Sequence, residues 1–171
     1  MADIKQFQVS RLIHSPGEQI FALLSRPGRH SEIDGSDMLR GSDSPPITAA
    51  GQRFVVNMFR DDLGHYRTVN TVVVFEPPTR IGWAPALDTS FPCPLVDRLA
   101  AIKTGGHTFT YQLHESQDGT EVTETYDWSK VPDPNFAALC PIMTSDDLDR
   151  TLVNLARVAE YAQSPSSPQE A

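Results

Sequence analysis

The sequence predicts an α+β domain: an antiparallel β-sheet covered on one face by a long C-terminal α-helix. Three observations carry this. Most segments from Gly51 to Ser129 read as strands joined by tight turns, the signature of a meander. Leu148, Leu152, Leu155, Ala159 and Ala162 recur at i, i+4, i+7, i+11 and i+14, one face of a helix. The chain has 171 residues, about one domain, enough to bury a core without a metal or disulfide staple. An apolar sheet face must be covered, and the final helix is the element long enough to do it.

Each element follows from its own pattern. Ile4 to Ile13 alternates, with Phe7, Val9, Arg11 and Ile13 on one face, so it reads as a strand. Ser15-Pro16 opens a helix with Ser15 as the expected N-cap, Pro16 at the first helical position and Glu18 three residues after the cap. Arg26-Pro27-Gly28 ends it, and a short second helix precedes the Asp34-Gly35 turn. Residues 41–50 form an irregular connection. Arg53 to Phe59 places Phe54, Val56 and Met58 on one face. Tyr66 to Phe75 is rich in β-branched and aromatic residues, as strands prefer. Arg80 to Ala84, His107 to His114 and Thr120 to Trp128 complete the run, with a hairpin turn at Gln117-Asp118-Gly119. Within the 85–103 insertion, Leu95, Val96, Leu99 and Ile102 follow helical spacing. Thr144 to Asp147 fits the capping pattern of the last helix. The expected domain is 1–163, and the Ser/Pro-rich segment 164–171 reads as a disordered tail.

Composition narrows the function. With 22 acidic and 14 basic residues the formal net charge is −8. Such a surface repels phosphate backbones, so nucleic acid is excluded as the expected partner. No apolar run reaches the ~20 residues of a membrane helix, so no integral membrane segment is expected. No basic stretch followed by an apolar core opens the chain, so no secretory signal is read. Cys93 and Cys140 have no CxxC or metal spacing and read as reduced thiols of a cytoplasmic protein. The five histidines form no HxH or HxxxH pair, and no phosphate-binding loop or GxSxG occurs. The expectation is therefore no metal and no cofactor.

The chain resembles the START-like helix-grip superfamily (SRPBCC), which includes polyketide cyclase/dehydrase-like and lipid-transfer proteins. The matching pieces are Val9 to Phe21, Asp34-Gly35, Val73 to Pro78 running on to Ile81-Gly82-Trp83, Phe109 to Leu113, Gly119 to Thr123, and Leu152 to Ala156. The likeness covers nearly the whole chain except the tail. It implies a curved sheet wrapped around the C-terminal helix, with an internal cavity that takes a small hydrophobic or amphipathic ligand. It also implies that residues 85–103 border the mouth of that cavity.

Strand parity then selects the residues expected to line the cavity: Phe54, Val56 and Met58; Arg67 and Thr71; Trp83; Phe109 and Tyr111; Glu124, Tyr126 and Trp128; and Leu148 and Leu152 of the final helix. For the apolar members the competing role is core packing. The polar members discriminate better, because an inward charge is costly unless paired or hydrated. Glu124 lies between Val122 and Tyr126, with Arg67 or Arg11 as its expected counter-charge. Glu124, His107 and Tyr111 are the candidates for proton transfer. Asp34, Asp37 and Arg40 are read as solvated turn residues near the entrance. The leading function is binding of a lipid, polyketide-like or aromatic metabolite by a monomer or homodimer. The alternatives are a polyketide cyclase/dehydratase-type enzyme using the same cavity and a regulatory protein-interaction module, whose expected surface is 91–102.

Overall fold

The structure is a computed structural model and describes residues 2–163; the predicted tail lies outside the described residues. Seven strands form one curled antiparallel sheet: β1 (Gln6–Ile13), β2 (Leu39–Gly41), β3 (Arg53–Arg60), β4 (Gly64–Glu76), β5 (Arg80–Leu87), β6 (Thr108–Ser116) and β7 (Gly119–Asp127). Their order across the sheet is β1-β7-β6-β5-β4-β3-β2. The helices are α1 (Gly17–Leu24), α2 (His30–Ile33), α3 (Pro94–Arg98), α4 (Pro134–Ala137) and α5 (Ser145–Gln163).

Two of these elements were not read from the sequence. β2 is three residues long and joins the sheet through a bulged register with β3, so it carries no alternation to detect. α4 did have a local signal in Asp133-Pro134: Asp133 caps it by accepting the backbone N–H groups of Asn135 and Phe136.

The start of α1 corrects the expectation. Its N-cap position is Pro16, with no side-chain cap, and the buried Ser15 hydroxyl has no hydrogen-bond partner. The free N–H of Gly17 instead donates to Glu115 Oε1 at 2.9 Å, from the end of β6. A carboxylate at a helix N-terminus meets both the orphan donors and the dipole. Here it arrives from 98 residues away in sequence. The last helix follows its predicted pattern: Thr144 Oγ1 accepts the Asp147 N–H at 3.1 Å, and Asp147 Oδ2 accepts the Thr144 N–H at 2.9 Å.

Helix α5 packs mainly on β1, at one end of the sheet, and on α2. Leu152, Leu155, Ala156 and Ala159 join the main core. Leu148 joins Tyr126 and Trp128 in a second cluster. Most of the concave face from β6 to β3 is therefore left uncovered by the helix, which borders it only at Thr151. The Asp34-Gly35 corner is clamped to α5: Gly35 N–H donates to Thr151 Oγ1 at 3.0 Å, Arg150 Nε donates to the Gly35 carbonyl at 2.9 Å, and Asn154 Nδ2 reaches the carbonyls of Ile33 and Asp34.

Parity on β4 is the second correction. Val73 is 47% exposed, whereas Tyr66, Asn70 and Val72 are buried. The β4–β5 register slips between Val72 and Val74, and this bulge exchanges the faces. Phe75 lies inward beyond it and meets the Phe21 ring at 5.5 Å. Before the bulge the inward residues are even-numbered, so Arg67, Val69 and Thr71 face outward.

Candidate functional site

The uncovered part of the concave face encloses a cavity of about 590 Å³, within the range of small-molecule sites. Its floor is the sheet. Phe54, Val56 and Met58 come from β3, Tyr66, Thr68 and Asn70 from β4, Trp83 from β5, Phe109 and Tyr111 from β6, and Glu124 from β7. α2 and its corner add His30, Ile33 and Asp34. Leu95, Arg98 and Leu99 of the insertion and Phe136, Leu139 and Pro141 after β7 contribute the rest of the wall. Arg98, Leu139, Pro141 and Asp62 are exposed and mark the rim. The two rim segments are tied together because Asp133 Oδ2 accepts the Lys103 N–H at 2.8 Å.

Five polar side chains on this wall are buried: Glu124, His107, Asn70, His30 and Thr151. The β6–β7 register sets Tyr111 opposite Glu124, and the Tyr111 hydroxyl donates to Glu124 Oε1 at 2.8 Å. Glu124 Oε2 has no partner among the described residues. Burial pushes the Glu124 carboxyl up to about 8, against the lowering effect of the Tyr111 bond and with help from the Asp34 and Asp149 charges. At neutral pH it is chiefly a neutral acid, and Oε2 is the oxygen left to carry the proton. Burial also raises Tyr111 well above the ordinary phenol range.

The imidazoles are neutral for the complementary reason, as burial pushes both His30 and His107 down to about 4. His30 Nε2 donates to the Leu24 carbonyl at 2.8 Å and the ring stacks on Trp83 with centroids 4.8 Å apart. His107 sits among the rings of Phe109, Tyr126 and Phe136, and its Nδ1 has no partner. Asn70 Nδ2 is held by Thr68 Oγ1 at 3.2 Å and the Phe54 carbonyl at 3.4 Å. The interior thus offers neutral hydrogen-bonding groups among aromatic walls and no buried ion pair among the described residues.

Of the residues expected at the cavity, Phe54, Val56, Met58, Trp83, Phe109, Tyr111 and Glu124 border it, as does His107. Arg67 does not: it lies on the outer face, donating to Asn57 Oδ1 at 2.8 Å with its guanidinium 4.5 Å from the Phe91 ring centroid. Thr71 shares that outer face. Arg11 is exposed on β1, opposite Val122. Neither arginine pairs with Glu124, whose partner is Tyr111. Tyr126 and Trp128 are buried beneath α5 instead, and Leu148 and Leu152 are core-facing residues of that helix, because the helix covers that end of the sheet. The Tyr126 hydroxyl accepts the Ile142 N–H at 3.1 Å. Asp34 borders the cavity while both its oxygens hold the following turn, taking the N–H groups of Ser36, Met38 and Leu39. Asp37 and Arg40 are exposed and paired with each other. Tyr66, Thr68 and Asn70 were missed. Their signal was the short turn after Arg60, which pairs them with Met58, Val56 and Phe54. His30 had no distinguishing signal in the sequence.

A curled antiparallel sheet gripping a C-terminal helix is a helix-grip fold. Solved structures with this architecture include an AHSA1-like protein from Aeromonas hydrophila, 19% identical, with a TM-score of 0.54 over 97% of this chain and 99% of that one. DynU16, from the dynemicin biosynthetic locus, is 14% identical, with a TM-score of 0.60 over 94% of this chain and 49% of that one. At these identities the likeness is one of fold. The uncharacterised Mycobacterium tuberculosis protein Rv0088 is 28% identical over 125 residues, 71% of this chain and 47% of that protein. The chain therefore spans about half the length of that relative. No protein-family model matches. Among the described residues no helix is long and apolar enough to cross a membrane.

Proposed function

We propose that residues 1–163 act as a binding domain for a small, mainly apolar molecule of lipid, polyketide-like or aromatic type, held in the cavity between the sheet and the helices. The observation that carries this is the cavity itself: about 590 Å³ bounded by a mainly apolar wall, with a buried, neutral Tyr111–Glu124 pair set into it. Apolar pockets with a few placed polar groups are the usual form of small-molecule sites. The reading takes the protein as a cytoplasmic monomer or homodimer that needs no cofactor. An environment-sensitive fluorophore is expected to bind at one site per chain and to be displaced by hydrophobic metabolites. Native mass spectrometry of protein from its own host is expected to show a co-purifying small molecule. Failure to find any saturable site overturns the reading.

One observation favours an enzyme of cyclase or dehydratase type as the second reading. Glu124 is raised to about 8 while His107 is lowered to about 4 on the same wall. Groups pushed apart in this way can divide acid and base roles. Turnover of a bound polyketide-like substrate, lost in Glu124→Gln with binding retained, separates catalysis from binding alone.

A further inference from the structure

Two buried polar atoms on the cavity wall have no hydrogen-bond partner: Glu124 Oε2 and His107 Nδ1. The residues are 3% and 5% exposed, so neither group is satisfied by bulk water, and each unmade bond is costly. Both residues border the same cavity. Their separation follows from the strand. His107 immediately precedes β6, and Tyr111, four residues on, faces Glu124 across the β6–β7 ladder. Four extended residues span about 13 Å. Phe109 lies between them on the same wall, giving an apolar floor with a polar residue at each end.

We propose that Glu124 and His107 are the two end anchors of an elongated, uncharged, ring-containing ligand that carries a hydrogen-bond acceptor oxygen at each end. The inference rests on the reading of the cavity as a binding site and specifies its ligand class. With the Tyr111 hydroxyl donated to Oε1, Glu124 presents its own proton on Oε2, and a carbonyl or ether oxygen completes the bond. His107, a neutral imidazole, serves the other end in its Nδ1–H tautomer. An anionic end group would meet no buried cation at either anchor and would lose its hydration.

The test uses four probes of one shape, with binding read from tryptophan fluorescence, since Trp83 borders the cavity: 2,6-diacetylanthracene, 2-acetylanthracene, the hydrocarbon 2,6-diisopropylanthracene and anthracene-2,6-dicarboxylate. The diketone is expected to bind about tenfold more tightly than the monoketone and more tightly again than the hydrocarbon, with the dicarboxylate weakest. Glu124→Met and His107→Phe are each expected to cost the diketone about tenfold and leave the hydrocarbon unchanged. Glu124→Gln keeps a donor and is expected to retain affinity. It also guards against a misfolded methionine variant, because its signature is a pH profile. The charged or titratable groups acting on Glu124 are Tyr111 from β6, Asp34 from the corner after α2 and Asp149 from α5. Wild-type affinity for the diketone is expected to fall from pH 6.5 to 8.5 as the Glu124 proton is lost, while Glu124→Gln stays flat. Equal binding of diketone and hydrocarbon, a tight dicarboxylate, or matching pH profiles overturns the two-anchor site while leaving an apolar binding cavity intact. Failure of all four probes and of a general hydrophobic fluorophore overturns the cavity reading as well.

Discussion

The Tyr111 hydroxyl lies 2.8 Å from Glu124 Oε1, and the two residues are direct partners in the β6–β7 ladder. A neighbouring pair on one sheet face thus supplies the buried carboxyl with its hydrogen bond, where an arginine was expected. A salt bridge would have kept Glu124 ionised; a phenol leaves desolvation dominant, and the carboxyl becomes a neutral donor.

This has a consequence for stability. The Glu124 carboxyl is at about 8 in the folded protein against 4.5 ordinarily, so between those values the folded state holds a proton that the unfolded chain has released. Its favourable contribution is complete below about 4.5 and is lost as pH rises to about 8, by at most ~1.4 kcal/mol per pH unit. Urea unfolding from pH 5.5 to 8.5 is expected to show wild-type stability declining relative to Glu124→Gln. Parallel profiles would show that Glu124 is ionised in the fold.

Gly35 is needed for close approach. A Cβ there would meet the Asp147 carbonyl oxygen and come within 2.5 Å of Thr151 N, both backbone atoms of α5. Gly35→Ala is expected to destabilise the protein by about 3 kcal/mol, because neither the corner nor the helix backbone can yield while three side chains clamp them. Its cost is read from the shift in the urea midpoint at unchanged m-value. A loss under 0.5 kcal/mol would place the corner further from α5.

Glu115 caps α1 from a distance. Glu115→Ala is expected to cost about 1 kcal/mol and to speed amide exchange in the first turn of α1. Ser15→Ala, at the position expected from sequence to cap, removes a hydroxyl that bonds nothing and is expected to cost less. The reverse ranking would restore Ser15 as the cap.

The amino-acid sequence by itself determined the α+β class, the meander, the long final helix with its Thr144–Asp147 cap, and the inward placement of Phe54, Trp83, Tyr111 and Glu124. These depend on short-range periodicity and capping chemistry, which the residues carry locally. It also contained the Asp61 to Gly64 turn, from which the pairing of Phe54, Val56 and Met58 with Asn70, Thr68 and Tyr66 follows and was not drawn. Only the tertiary structure decided the rest. The bulge at Val73 reversed the β4 faces and sent Arg67 and Thr71 outward, because one extra residue changes parity without changing composition. The seating of α5 on the β1 end of the sheet made Leu148, Leu152, Tyr126 and Trp128 core and left the β3–β6 face open as a cavity. Glu115 reached α1, and His30 reached Trp83, through contacts between elements. Such contacts depend on where helices settle on the sheet, and no local pattern encodes that.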